Sequence, residues 1–347
     1  MASEAAGEAA AREPITVGTF CSGTDAPIFA LRQAGIPHRH VFSAETNKHA
    51  RTFIQANCPP ETLYGDIMAL DLATVPRVDL FVAGPPCQPF SGMNQKRISS
   101  RMDARVNVLH ACLRYIEHKR PKFVVLENVV ALRKYWSLSP SAEDEGTSFV
   151  GQWKRNIAPV LQQIRCVYNT SELSLTPLQY DCPQSRPRFY VFLSQGDIFN
   201  LPPSRPNTIL TYMDLLDGPS AAVYDDLSLS PTAKRYLEAA RLKFGPEWRG
   251  GVNCRNTIGL VTAQRNVFPH RDHAHCILSQ QPSIICHLNR YLSRRELCRF
   301  QGFSPDIVDL CYSTLTFHQF SRLLGNAMNV KILQSIFNKK YTVAESN

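Results

Sequence analysis

Short apolar runs alternate with segments of helical period through the first half of this 347-residue chain. Ile15 to Phe20 reads as a strand, Asp25 to Gln33 as a helix stopped by Gly35, and His40 to Glu45 as a second strand with a helix after it to about Asn57. Val78 to Ala83 is an apolar run ending in Gly84-Pro85-Pro86. Val106 to His118 has helical period, and Phe123 to Glu127 is a further apolar run. Strands covered on both faces read as continuous apolar runs, and the helices between them supply the crossovers that parallel strands require. The pattern predicts an α/β chain built on a doubly wound, mostly parallel sheet, with ligands at the carboxyl ends of its strands. Phe189 to Leu193 reads as the last strand. Hydrophobic residues make up 44% of the chain, enough for a large core. No apolar run reaches the ~18 residues of a membrane span, so no membrane association is expected.

Residues 1–14 are rich in Ala and Glu. Glu4, Glu8 and Glu13 stand against Arg12 alone, so the segment reads as a disordered tail and not as a mitochondrial transit peptide. Residues 15–195 carry the strand–helix alternation. Residues 196–287 are rich in Pro, Gly and Arg and weakly periodic, which predicts a smaller second domain. Ser293 to Phe300 and Gln319 to Phe337 look helical, so residues 288–340 are expected to return to the first domain. The formal net charge is +9, which points to a polyanionic partner such as nucleic acid. Residues 249–299 hold eight arginines against one aspartate and one glutamate; Arg255, Arg265 and Arg271 are candidates for guanine or phosphate. Eleven cysteines without framework spacing predict free thiols in a reducing, intracellular compartment. His270, His273, His275, Cys276, Cys286 and His287 cluster, but their spacing matches no zinc pattern, and no metal is expected.

The stretch Gly84 to Ser91 constrains the chemistry most. A cysteine placed directly after an apolar strand and two prolines is held at the sheet crest with little backbone freedom. A thiol is only a few per cent ionised at neutral pH yet intrinsically nucleophilic. The octet around Cys87 resembles the catalytic motif of the cytosine carbon-5 DNA methyltransferase family, in which the cysteine of a Pro-Cys-Gln tripeptide is the nucleophile. Phe123 to Val129 is similar to the family strand ending in Glu-Asn-Val, and Gln184 to Arg188 to its Gln-x-Arg-x-Arg. Arg294 to Phe303 resembles its Arg-Glu-x-x-Arg-x-Gln-Gly-Phe helix, and Gly325-Asn326-Ala327 its closing Gly-Asn-Ala. The five motifs occur in family order, and the resemblance extends from about residue 15 to 335.

The resemblance implies an S-adenosylmethionine-dependent fold whose residues 196–287 form the target-recognition domain. It implies transfer of a methyl group to carbon 5 of cytosine in double-stranded DNA. Cys87 would add to carbon 6 of a flipped-out base. Glu127 would serve the ring edge, with burial raising its pKa, and Arg186 and Arg188 would hold the base, the loop or a phosphate. Cofactor contacts are expected from Phe20, Ser22, Gly23, Thr24, Glu45, Asp66, Ile67, Pro86, Asn326 and Val330. The family usually has Phe-x-Gly-x-Gly-Gly in the first turn, where this chain carries Ser22 and Thr24. Ser91 to Arg105, polar and basic, is expected to be the lid over the base. Two alternatives stay open: a tRNA cytosine carbon-5 methyltransferase, whose usual Cys-Phe-Thr tripeptide is absent here, and an inactive DNA-binding homologue. The expected state is a monomer, in the nucleus if the source is eukaryotic.

Overall fold

The computed structural model describes residues 13–90, 105–141, 148–201, 210–217, 228–245, 248, 251–253, 267–268, 273–277 and 283–342. The elements run β1 (Ile15–Phe20), α1 (Ala26–Gln33), β2 (His38–Ala44), α2 (Lys48–Asn57), β3 (Thr62–Tyr64), β4 (Leu80–Ala83), α3 (Val106–Lys119), β5 (Phe123–Val129), α4 (Arg133–Trp136), α5 (Phe149–Asn156), α6 (Ala158–Val167), β6 (Asn169–Leu175), β7 (Gln184–Ser185) and β8 (Arg188–Ser194). They continue with α7 (Pro231–Phe244), β9 (Gly251–Asn253), β10 (Val267–Phe268), β11 (Ala274–His275), β12 (Ser283–Ile285), β13 (Arg290–Tyr291), α8 (Arg294–Gln301), α9 (Ile307–Cys311), α10 (Phe317–Asn326) and α11 (Val330–Tyr341).

Seven strands form one sheet in the order β3-β2-β1-β4-β5-β8-β6. The first five are parallel, and β8 runs antiparallel to both β5 and β6. Strand order reverses between β1 and β4. A crevice therefore opens beyond their carboxyl ends, where an open α/β sheet receives its ligand. Gly18 lets β1 and β2 pack closely: a Cβ there would stand 2.1 Å from the Phe42 ring. That ring meets Phe20, Phe81 and Tyr115 under the sheet. The other face packs Val17, Leu80 and Phe123 in one apolar cluster with α8, α10 and α11.

Several expectations change. β2 stops at Ala44, leaving Glu45 just beyond the strand. β6 was not visible in the sequence because its residues are polar and mostly half-buried. It takes the sheet edge and moves β8 inward. The long helix expected over 319–337 is two helices. Ala327 leaves helical geometry, and Asn329 accepts the amides of Lys331 and Ile332 to start α11 afresh.

A four-stranded antiparallel sheet, β10-β9-β12-β13, lies in the later region. A boundary after residue 287 would cut between β12 and β13, where Ile284 pairs with Tyr291. Tyr236, Ile284 and Ile285 also share the apolar cluster of the C-terminal helices. Among the described residues no helix is long and apolar enough to cross a membrane. The tail and most of the lid segment lie outside the described residues.

Candidate active site

Cys87 follows β4 by four residues. The segment before it is fixed from the neighbouring strand, since Asn128 at the end of β5 donates to the Pro85 carbonyl at 2.9 Å. The Phe90 amide donates to the Cys87 carbonyl at 3.0 Å and closes a turn. The Phe90 ring then anchors that turn among Tyr135, Phe149 and Trp153, with centroids 6.0, 6.1 and 5.9 Å away. Cys87 is thus a half-buried thiol on a rigid crest. Burial pushes its pKa above the ordinary value and the Glu127 carboxylate pushes the same way, while Arg188 and Arg186 pull it back without cancelling the shift.

Glu127 sits two residues from the end of β5, opposite Tyr190 of β8. Its Oε1 pairs with Arg188 Nε at 3.2 Å. Burial raises its pKa, and the two guanidiniums oppose the rise only in part. The two arginines do not share one task. Arg188 faces Glu127 and donates to the Pro187 carbonyl at 2.8 Å. Arg186 is 3% exposed and binds two other stretches of chain. Its Nη1 donates to Cys276 Sγ at 3.0 Å and the Ile277 carbonyl at 3.2 Å. Its Nη2 donates to the carbonyls of Gly325 and Ala327 at 3.0 and 3.1 Å.

The turn after β1 is the second half of the site. Cys21, Gly23 and Asp25 all adopt left-handed backbone, with φ of 52°, 57° and 50°. Such geometry suits glycine, and two side chains here bear its strain. Asp25 is fully buried and accepts from Thr19 Oγ1 at 2.6 Å and Ser43 Oγ at 2.5 Å. Ser43 also meets His40 Nε2 at 2.8 Å, and Thr19 meets Ser22 Oγ at 2.6 Å. Burial, partly opposed by the two hydroxyls, lifts the Asp25 pKa to about 7, while burial lowers that of His40 to about 4. Unfolded, an aspartate titrates near about 4. The folded state therefore holds the Asp25 proton more tightly, and its contribution to stability falls as pH rises through about 7. Asp25→Asn is expected to flatten the loss of stability between about pH 5 and 8. Urea midpoints across that range check it, and equal slopes in both proteins would contradict it.

Ser22, Gly23 and Glu45 come together at this turn. Gly23 N donates to Glu45 Oε2 at 2.7 Å, and Glu45 Oε1 accepts the amides of Thr46 and Asn47. Thr24 is buried, with its hydroxyl unpartnered. Asp66 caps a short 3₁₀ turn over Ile67–Ala69 through one oxygen, at 2.9 Å from Met68 N. Backbone donors, an orphaned hydroxyl and two strand-end carboxylates at a topological switch point suit a nucleoside-bearing cofactor.

Two of the residues expected at the cofactor have wholly buried side chains. The Phe20 ring is 0% exposed and packs in the core, so it supports the turn from beneath. Val330 is also 0% exposed, and lies 3.4 Å from where a Cβ on Gly302 would be. Ile67 is buried, Pro86 half-buried, and Asn326 exposed at the end of α10. Met328 was not foreseen, yet its terminal methyl lies 2.7 Å from the Cβ position of Gly84. The sequence marks Cys276 only as a member of the histidine cluster. Among the described residues no group of His, Cys, Asp or Glu could hold a metal, and none of the ten described cysteines is in a disulfide. Arg255, Arg265, Arg271 and His270 lie outside the described residues.

The family model for C-5 cytosine-specific DNA methylase matches residues 15–341. The chain is 29% identical over 303 residues to the type II methyltransferase M.NgoBI of Neisseria gonorrhoeae, covering 85% of this chain and 84% of that one. It is 24% identical over 339 residues to a tRNA (cytosine(38)-C(5))-methyltransferase of Schizosaccharomyces pombe, covering 91% and 94%. In fold it is similar to the methyltransferase EhMeth of Entamoeba histolytica, with a TM-score of 0.65 at 16% identity, over 96% of this chain and 100% of that one.

Proposed function

The chain belongs to the C-5 cytosine-specific DNA methylase family, and on that footing we propose that it methylates carbon 5 of cytosine in double-stranded DNA through a covalent bond from Cys87 to carbon 6 of an extruded base. The observation that carries the reading is the meeting of Cys87, Glu127 and Arg188 at one end of the adjacent strands β4, β5 and β8. Carbon 5 of cytosine is unreactive until a nucleophile adds at carbon 6 and makes it enamine-like. The Cys87 sulfur forms that bond, and the charge delivered to the ring must be met at nitrogen 3. Glu127, whose pKa burial raises, can donate there once it has taken up a proton, while Arg188 holds its other oxygen. Each negative charge discourages the other, so ionising Cys87 favours a proton on Glu127.

S-adenosylmethionine, when bound, supplies an electrophilic methyl group. Ser22, Gly23, Thr24, Glu45, Asp66 and Ile67 would hold it from the β1 and β2 side, with Pro86 and Asn326 on the opposite side. The region from 196 to 287 would face DNA, with the enzyme acting as a monomer inside the cell, in the nucleus if the source is eukaryotic.

Glu127→Gln separates the two roles of this carboxyl. It is expected to slow methyl transfer by about 10²-fold or more. It should also speed alkylation of Cys87 at pH 7, because a charge that raises the thiol pKa is gone. Slower transfer together with slower alkylation would refute the assignment.

A second substrate, tRNA, is favoured by one observation: the match to the tRNA enzyme extends over 91% of this chain. Methyl-labelled S-adenosylmethionine offered with duplex DNA or with tRNA decides between them. Label at carbon 5 of cytosine in DNA is expected. Label in tRNA alone would transfer the proposal to that substrate, and label in neither would overturn it.

A further inference from the structure

The two arginines assigned to the reaction also clasp a cysteine that the reaction does not use. We propose that Cys276 is a modification site, a thiolate held between Arg186 and Arg188 that reacts with hydroperoxides and other small soft electrophiles ahead of Cys87 and thereby disables both arginines. The link to activity rests on the reading of Cys87 given above; the reactivity of Cys276 does not.

Its placement follows from strand pairing. β11 runs parallel to β7, with Ala274 opposite Gln184 and His275 opposite Ser185. One residue further, Cys276 stands beside Arg186. Its sulfur is 3.0 Å from Arg186 Nη1 and 3.8 Å from Arg188 Nη2, and the residue is partly exposed.

The charges there do not balance without it. Arg188 has Glu127 as its counter-ion. Arg186 is almost wholly buried, and among the described residues its other acceptors are neutral carbonyls. A buried cation needs a compensating charge, and a thiolate at Cys276 supplies one. Burial opposes ionisation, but the guanidiniums outweigh it and hold the Cys276 pKa below the ordinary value. Cys87 meets the same guanidiniums, but burial and Glu127 together push its pKa up, so it stays a thiol. The resting thiolate is therefore not the catalytic cysteine.

With hydrogen peroxide, the Cys276 sulfur forms an S–O bond as the O–O bond breaks. Sulfur is oxidised by two electrons, and the departing hydroxide takes a proton from solvent to leave as water. The added oxygen is a new acceptor beside two guanidiniums. Arg186 Nε, buried and without a partner among the described residues, is a donor still available to it. Redirecting Arg188 toward that oxygen would take it from Glu127.

The test uses the full chain without nucleic acid. Brief exposure to limiting iodoacetamide from pH 6 to 9, then quenching and peptide mass spectrometry, gives a rate for each cysteine. At pH 7 Cys276 should be alkylated at least about tenfold faster than Cys87, with a rate that flattens at lower pH than that of a small free thiol. Cys87→Ser should leave the Cys276 rate unchanged. With hydrogen peroxide and a sulfenic-acid trap, the adduct should form at Cys276. Methyl transfer should fall in step with it and return with dithiothreitol when the trap is omitted, while the Cys87 peptide stays unmodified. Labelling of Cys276 no faster than that of Cys87, or full modification with methyl transfer intact, would overturn the proposal. Fast labelling in a protein that methylates neither DNA nor tRNA would support the modification site and count only against the assigned reaction.

Discussion

Cys87→Ser is expected to lower methyl transfer by at least about 10³-fold, with a change in unfolding free energy of less than about 1 kcal/mol. The asymmetry comes from the site. Cys87 is held by backbone, through the Asn128 contact to Pro85 and the turn anchored by Phe90. Its half-buried side chain carries little packing, so serine should fit. A serine hydroxyl is far harder to ionise than a thiol and a poorer nucleophile toward carbon 6, and no neighbour replaces that loss. Duplex DNA bearing 5-fluorocytosine gives the sharper measurement. Fluorine cannot depart from carbon 5 as a proton does, so the sulfur cannot be expelled and the adduct persists. Wild type should migrate as a protein–DNA conjugate, with the mass shift on the Cys87 peptide. A conjugate in Cys87→Ser, or a shift on another peptide, would remove Cys87 from the mechanism.

The central strands were legible because burial on both faces writes itself as an unbroken apolar run. Leu80–Ala83 and Phe123–Val129 are such runs, and their place beside β1 follows from the crossovers. β6 was not legible: Asn169–Leu175 forms an edge, is half-exposed, and needs no apolar alternation. The direction of a single side chain was equally hidden. Phe20 and Ser22 lie two residues apart, but the strand ends between them and the left-handed Cys21 turns the chain. Phe20 therefore goes to the core and Ser22 to the turn network.

The basic run at 249–299 shows why charge counts carry little spatial information. Arg290 pairs with Glu296 at 2.7 Å, Arg299 with Asp217 at 2.5 Å, and Arg295 with Asp309 at 3.2 Å. Arg294 is buried against the Tyr312 and Phe320 rings. Half of those eight arginines therefore have partners within the protein. Asp217 and Asp309 lie outside the window counted, so the local excess overstates the charge available to a polyanion. Cys276 was hidden for a related reason: its environment is set by Arg186 and Arg188, some 90 residues earlier in the chain.

Arg186→Leu is expected to destabilise the fold by about 3 kcal/mol or more, a larger effect than any other single change considered above would have on stability. Leucine approximates the apolar length of the side chain but donates nothing. The carbonyls of Ile277, Gly325 and Ala327 and the Cys276 sulfur would all lose a donor in a largely buried region. Those acceptors belong to two distant segments, so Arg186 ties the stretch after β11 and the α10–α11 junction to the strand that carries Arg188. Arg186→Lys should recover only part of the loss, since one ammonium cannot reproduce the geometry of a two-pronged fork. Urea unfolding of the three proteins measures the ordering, expected as wild type above the lysine variant above the leucine variant. Methyl transfer should fall in both variants even at temperatures where they remain folded, because the Gly325 and Ala327 carbonyls would no longer be held against the active-site strand. Equal stability of the Arg186→Leu variant and the wild-type protein would mean that the four contacts are replaced by water, and Arg186 would then be a candidate ligand for substrate alone.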